Sequence, residues 1–282
     1  MRRISAALLL TLGCAFTEPN LAAATPAAEG PLPHADALVP HKAVYGLSLG
    51  DRRSSSSVLE AGGRFEFEWS DVCDGWAVNQ RFRIGLLYED GLAVSYGWSL
   101  SSWESKDGRH YRFFIRRFDS DGMSETVRGE AELGPDGSGK AMFHDPEARE
   151  VALPAGTLFP TRHTLHVLQS AETDATPTWT LVFDGSGDEG IFGVSAALSR
   201  RLPPDAPTQL TSGLLRGVPS WRVNLAFYGT DAAAVEPEQE QGLRLFANGV
   251  VDEMRLDYGE FVLDADLSEL TPLPAPDCGD RS

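Results

Sequence analysis

The feature that most constrains this chain is a two-residue alternation of apolar and polar side chains along most of its length. Arg64 to Trp69 shows it: Phe65, Phe67 and Trp69 point one way, Glu66 and Glu68 the other. One face of such a strand is made for burial and one for water. Tyr45, Leu47 and Leu49 precede it, Val78, Phe82 and Ile84 continue it with Gln80 as the exception, and Tyr111, Phe113 and Ile115 repeat it. Turn dipeptides separate the runs at Asp90-Gly91, Asp107-Gly108 and Asn248-Gly249, and Asp-Gly or Asn-Gly suits the two-residue hairpin turn. The pattern predicts an all-β chain built as a meander of antiparallel hairpins. A long antiparallel sheet with one apolar face must curl on itself or pack against a second sheet.

One stretch departs from the pattern. In Leu153 to Ala171, Phe159-Pro160 breaks what precedes, Thr161 is placed to cap, and Leu165 and Leu168 fall on one helical face. A single short helix among strands is expected to pack over the sheet or to plug one end of it. A second irregular stretch, Arg201 to Pro219, holds Pro203, Pro204, Pro207 and Pro219. It reads as a surface excursion, because proline cannot donate to a sheet ladder.

Compartment follows from the first residues. Arg2 and Arg3 precede an apolar run from Ile4 to Phe16, and Ala22-Ala23-Ala24 supplies the small residues of a cleavage site. The run is shorter than the ~20 residues a membrane span requires. The expectation is a signal peptide at 1–24, a flexible Ala- and Pro-rich leader at 25–40, and a single domain at 41–278, released into the periplasm. Leu12-Gly13-Cys14 offers a competing lipoprotein signal, disfavoured by Thr11 where an aliphatic residue belongs. Cleavage removes Arg2, Arg3 and Glu18, so 24 − 2 = 22 basic residues face 41 − 1 = 40 acidic ones and the mature net charge is −18. That sign argues against nucleic acid as a partner and against electrostatic attachment of the whole molecule to anionic lipid.

Cys14 leaves with the signal, and Cys73 and Cys278 remain. Two thiols in an exported chain make a disulfide the default reading. Closing such a loop is assigned roughly 5 kcal/mol by the chain-entropy model. A redox or metal thiol is the alternative, and no Cys-x-x-Cys motif or fixed Cys/His spacing supports it.

Each candidate for chemistry has a plainer reading beside it. Gly134 to Lys140 resembles a phosphate-binding loop, but Ala141 stands where a magnesium-holding hydroxyl is needed and strands flank the turn. Asp184, Ser186 and Asp188 have calcium-loop spacing, with Glu189 where the loop needs glycine and Ser195 where it needs glutamate. His163 and His166 lie one helical turn apart with no third ligand marked by spacing. Glu66 with Glu68, and Asp264 with Asp266, are paired carboxylates opposite apolar residues, as a solvated strand face has them. These readings leave no catalytic residue, metal ligand or cofactor to assign. Trp69, Trp76, Trp98, Trp103 and Trp221 either line a cavity for a hydrophobic ligand or fill a core.

Several stretches together resemble the envelope integrity protein B (EipB) family of exported alphaproteobacterial proteins. They are Leu38-Val-Pro-His-Lys-Ala-Val-Tyr45, Ser101-Ser-Trp-Glu104 with Asp107-Gly108, Leu153 to Thr161 with His163-Thr164, Asn248-Gly-Val250, Asp257 to Phe261, and Pro272 to Pro276 with Cys278. The resemblance implies a periplasmic β-spiral like a broken barrel, with a disulfide corresponding to Cys73 and Cys278. It implies a non-enzymatic role in envelope maintenance, through other periplasmic or envelope proteins. A carrier of a lipid or other hydrophobic envelope molecule and a hydrolase of envelope polymer are the alternatives.

Overall fold

The computed structural model describes residues 37–279 apart from 55, 121, 123, 174, 188 and 231–235. The expected signal peptide and residues 25–36 of the expected leader lie outside the described residues. The first half of the chain forms β1 (His41–Arg52), β2 (Val58–Asp71), β3 (Gly75–Tyr88), β4 (Ala93–Ser105), β5 (His110–Asp119), β6 (Ser124–Leu133), β7 (Gly139–Asp145) and β8 (Arg149–Leu153). A two-residue strand β9 (Thr157–Leu158) leads into helix α1 (Pro160–Glu172). The second half forms β10 (Thr178–Phe183), β11 (Ile191–Leu198), β12 (Ser220–Tyr228), β13 (Gln239–Phe246), β14 (Val251–Asp257) and β15 (Phe261–Pro272).

All of them join one fifteen-stranded sheet in the order β8, β7, β6, β5, β4, β3, β2, β1, β15, β14, β13, β12, β11, β10, β9. The first and last strands therefore pair in the middle, Tyr45 opposite Leu267, while the middle of the chain supplies both edges. That order dictates the shape. Lying flat, fifteen strands would span roughly 67 Å. Yet the edge strands β8 and β9 are joined by residues 154–156 alone, a connection that reaches at most about 14 Å. The sheet has to roll up until its edges meet.

The edges meet by overlapping. On β10, Thr180 and Val182 share a face with Val194 of β11, and Leu181 and Phe183 share the other with Ile191. This second face is covered by Tyr111, Phe113, Val127, Ala131 and Phe143 of β5 to β7. Phe183 is fully buried among the rings of Tyr111, Phe113, Phe143 and Phe159, at centroid distances of 5.7–6.3 Å. Gly185 sits against the Phe113 ring, where a Cβ would come within 2.5 Å of it. The result is a spiral, a nearly closed barrel whose seam is an aromatic core. The antiparallel meander holds everywhere except at β9, which pairs in parallel with β10. Two residues carry no periodicity, so the pattern could not show this strand.

The proline-rich segment between β11 and β12 is the surface excursion expected, irregular and largely exposed, but it is anchored: Leu215 is 3% exposed and belongs to the same apolar cluster as Tyr45, Phe246 and Val250. Polar contacts hold the segment down: the Arg244 guanidinium donates to the carbonyls of Pro207 and Ala206 and the Asn248 amide to that of Leu214. Leu38 to Pro40, expected in the loose leader, are also packed. The Val39 amide donates to the Asn248 carbonyl and the Pro40 carbonyl accepts from Leu273.

Candidate functional site

Helix α1 closes one end of the spiral. Leu165, Val167, Leu168 and Ala171 pack against Trp69 and Trp76, at the end of β2 and the start of β3, and against Trp221, Val223 and Leu245 from β12 and β13. The helix thus lies between opposite walls, as a plug does. Thr161 is not its cap. The helix begins at Pro160 with Phe159 as N-cap, and no side-chain cap bond comes from that residue. Pro160 is preorganised for the first helical position, which places Thr161 already inside the first turn.

The missing cap comes from β4. The Glu104 carboxylate, 2% exposed, accepts from the amide of Thr161 at 2.7 Å and of Arg162 at 2.9 Å. A carboxylate is favoured at a helix N-terminus, where free amides and the helix dipole both present positive charge. Burial nonetheless wins: the Glu104 carboxyl is pushed up to about 7 by desolvation, against the lowering effect of the two amides. The next residue after Arg162, His163, is 7% exposed and its Nε2 has no hydrogen-bond partner among the described residues. Desolvation, helped by His166, takes its imidazole down to about 4. The Tyr111 hydroxyl donates to the Asp184 carbonyl at 3.3 Å, and burial raises its phenol far above the ordinary value. Buried acid, buried base and phenol are thus gathered where the plug meets the seam.

The wall beyond the plug is aromatic. Tyr45, Phe65, Phe82 and Trp98 form a chain of ring contacts at 5.6, 6.3 and 5.8 Å. Phe82 is buried, but Phe65, Phe67, Trp98, Leu100, Leu225, Leu243 and Met254 keep part of their surface exposed although register or packing sets them with the buried face. Of the five tryptophans singled out, Trp69, Trp76 and Trp221 fill the core around the plug and Trp98 lies in the half-exposed wall. Trp103 lies on the other face of β4 beneath the Arg112 guanidinium at 5.0 Å. At the far end, away from the helix, burial and the neighbouring phenol of Tyr88 raise Tyr96, and burial and Tyr96 push Tyr258 up to about 12. Three tyrosines therefore stand together at the end the helix does not close.

Cys73 and Cys278 are at the plugged end, their sulfurs 2.15 Å and Cα atoms 5.6 Å apart across 205 residues. Cys73 occupies the β2–β3 turn with φ of 71°, its amide bonded to Asp71. Asp71 in turn pairs with Lys106 at 2.6 Å, which lies over the Trp76 ring.

The other sequence candidates do not converge. Lys140 is in the β6–β7 hairpin and pairs with Glu150. The Asp184 carboxylate accepts from the Ser186 amide and hydroxyl; Asp188 lies outside the described residues. Glu66 is bonded to Arg64, Asp264 faces Arg255, and Asp266 accepts from Gln209. No group of three metal-ligating side chains occurs among the described residues, and no helix there is long and apolar enough to cross a membrane. The periodicity also gave no sign of the buried ion pair of Arg244 with Asp252 at 3.6 Å. A charge at an apolar position of a strand was its only trace.

Fold and site define a class: a barrel-like all-β spiral, plugged by one helix. The chain belongs to the EipB-like family, whose model it matches over residues 33–274. It is similar to the cell envelope integrity protein EipB of Brucella abortus (strain 2308), 27% identical over 243 residues that cover 83% of this chain and 84% of the relative. It is also similar to a solved structure, a beta-barrel-like protein of domain of unknown function DUF1849 from Brucella abortus. That structure superposes with a TM-score of 0.75 and 26% identity over 84% of this chain and 99% of its own.

Proposed function

We propose that this chain is a periplasmic factor that maintains the integrity of the cell envelope without catalysing a reaction, acting through protein partners. The observation that carries the reading is similarity across most of both chains to a protein named for cell envelope integrity. The architecture supports it. The sheet ends are locked over each other, and two strongly perturbed titratable groups, Glu104 and His163, are committed to a helix end inside the core. A second reading, carriage of a hydrophobic envelope molecule, is favoured by the half-exposed aromatic wall around Phe65 and Trp98.

The test is complementation. In a deletion strain, loss of the protein weakens growth on deoxycholate and on a β-lactam, and the wild-type chain restores both. His163→Ala, Asp184→Ala and Lys140→Ala, each at normal abundance, restore growth as well. An abundant, folded single variant at one of these positions that fails would overturn the non-enzymatic reading. Native mass spectrometry of protein taken from its own periplasm decides the second reading by whether a lipid mass travels with the chain.

A further inference from the structure

The outward face of β3, β4 and β5 is anomalous for this chain. By register, Arg81 of β3, Ser99 of β4 and Arg116 of β5 lie side by side, as do Arg83, Gly97 and Phe118 one pair along, and Ala77, Trp103 and Arg112 two pairs the other way. Arg81, Arg83, Arg112 and Arg116 are all exposed, and Phe114, between Arg112 and Arg116 on the same face, is 38% exposed. The aromatic rings are interleaved with the cations: Arg83 lies 5.4 Å from the Phe118 centroid and Arg112 lies 5.0 Å from that of Trp103. Between the flanking strands this face carries serines, glycine and asparagine but no carboxylate, in a chain with 41 acidic residues against 24 basic ones. Among the described residues Arg81 and Arg116 have no ion pair. The carboxylate opposite Arg81 in register, Glu66, is taken by Arg64 at 3.1 Å.

We propose that this stripe is the docking surface for an extended acidic segment of a partner protein, the Arg81–Ser99–Arg116 row holding its carboxylates and Phe114 its apolar anchor. The proposal deepens the reading that the chain acts through protein partners. The dimensions select the occupant. From β3 to β5 the stripe is two strand spacings, about 10 Å, wide, and from Arg112 to Phe118 it runs roughly 20 Å. It is bordered by Arg64, Glu66 and Glu68 on β2 and by Arg128, Glu130 and Glu132 on β6, the two arginines being paired with Glu66 and Asp145. A planar anionic membrane would press against the four glutamates, which lie within about one screening length, ~8 Å, of the stripe's arginines. A single extended chain lies between them. Arginine and aromatic side chains are also the residues that most often dominate binding energy at protein interfaces, and the bordering glutamates disfavour placing an acidic segment over them.

The test uses the full mature chain and three probes: a fluorescein-labelled Glu-Ser repeat peptide carrying one phenylalanine, its Gln-Ser counterpart, and vesicles of phosphatidylcholine with phosphatidylglycerol. The acidic peptide binds, the Gln peptide and the vesicles do not, and added salt weakens binding. Arg81→Glu with Arg116→Glu weakens it about tenfold or more, Arg81→Lys with Arg116→Lys retains most of it, and Arg200→Glu with Arg201→Glu leaves it unchanged. In the deletion strain the charge-reversed chain, melting like wild type and equally abundant, fails to restore growth on deoxycholate. Equal peptide binding by wild type and the charge-reversed chain, vesicle binding that depends on Arg81 and Arg116, or full complementation by the charge-reversed chain would each overturn the proposal. A deletion strain with no envelope phenotype would instead remove the proposed function, and peptide binding would then decide the surface alone.

Discussion

The Glu104 carboxylate accepts a hydrogen bond from the Thr161 amide at 2.7 Å, and the two residues lie 57 positions apart in the chain. The end of one strand thereby fixes the start of the only helix among the described residues. Two of the sequence stretches that carry the family resemblance, Ser101 to Glu104 and Leu153 to Thr161, meet in this bond.

Glu104 and His163 make stability depend on pH with opposite signs. The Glu104 carboxyl is raised from 4.5 to about 7 in the folded state, so between those values the folded chain holds the extra proton and stability falls as pH rises. His163 is lowered from 6.5 to about 4, so the unfolded chain holds the extra proton and stability rises with pH across that window. Each contribution is on the order of 3 kcal/mol at most, and between about pH 4.5 and 6.5 they offset. Urea denaturation of wild type should therefore show little change from these two groups. His163→Asn should lose stability from pH 5 to 7, and Glu104→Gln should gain it from pH 4 to 6. Parallel pH profiles for the two variants would remove this account.

The cysteine pair should act as a staple. Closing a 205-residue loop is assigned roughly 5 kcal/mol by chain entropy. Oxidised protein should show no reactive thiol before or after denaturation. Reductant should lower the melting temperature of wild type but not of Cys278→Ser. An unchanged temperature on reduction means that the pair contributes nothing.

The seam should be more sensitive than the outer face. Phe183→Ala removes a fully buried ring from contact with four others and should cost about 3–5 kcal/mol. Phe114→Ala, on the exposed side of the neighbouring wall, should cost well under half of that. Leu215→Ala should fall near 2–5 kcal/mol, as a core substitution does and a surface one does not. Denaturant midpoints at constant slope measure all three.

Export is checked at the chain terminus. Protein recovered from the periplasm should begin near Thr25, because Ala22-Ala23-Ala24 follows the apolar run. Intact Met1, or an acylated Cys14, would contradict the reading.

Sequence alone determined the all-β class, most strand positions and the helix, because each rests on local periodicity and turn chemistry. Alternation at Phe65, Phe67 and Trp69 and the Asp107-Gly108 turn, with Gly108 at φ of 69°, are properties of a few adjacent residues. The spiral itself rested on resemblance rather than on spacing. Only the tertiary structure decided what lies between distant residues: the edge overlap that buries Phe183, the anchoring of the proline-rich segment by Leu215, the parallel pairing of β9, and the capping of α1 by Glu104. The capping error at Thr161 shows the reason. A hydroxyl before a helical run is a local signal, but the orphan amides of a helix are satisfied by whichever acceptor the fold brings within about 3 Å. Here the rolled sheet brings a carboxylate from another strand. The arginine stripe follows the same logic, since Arg81 and Arg116 are 35 positions apart in sequence and become neighbours across Ser99 only through the register of three strands.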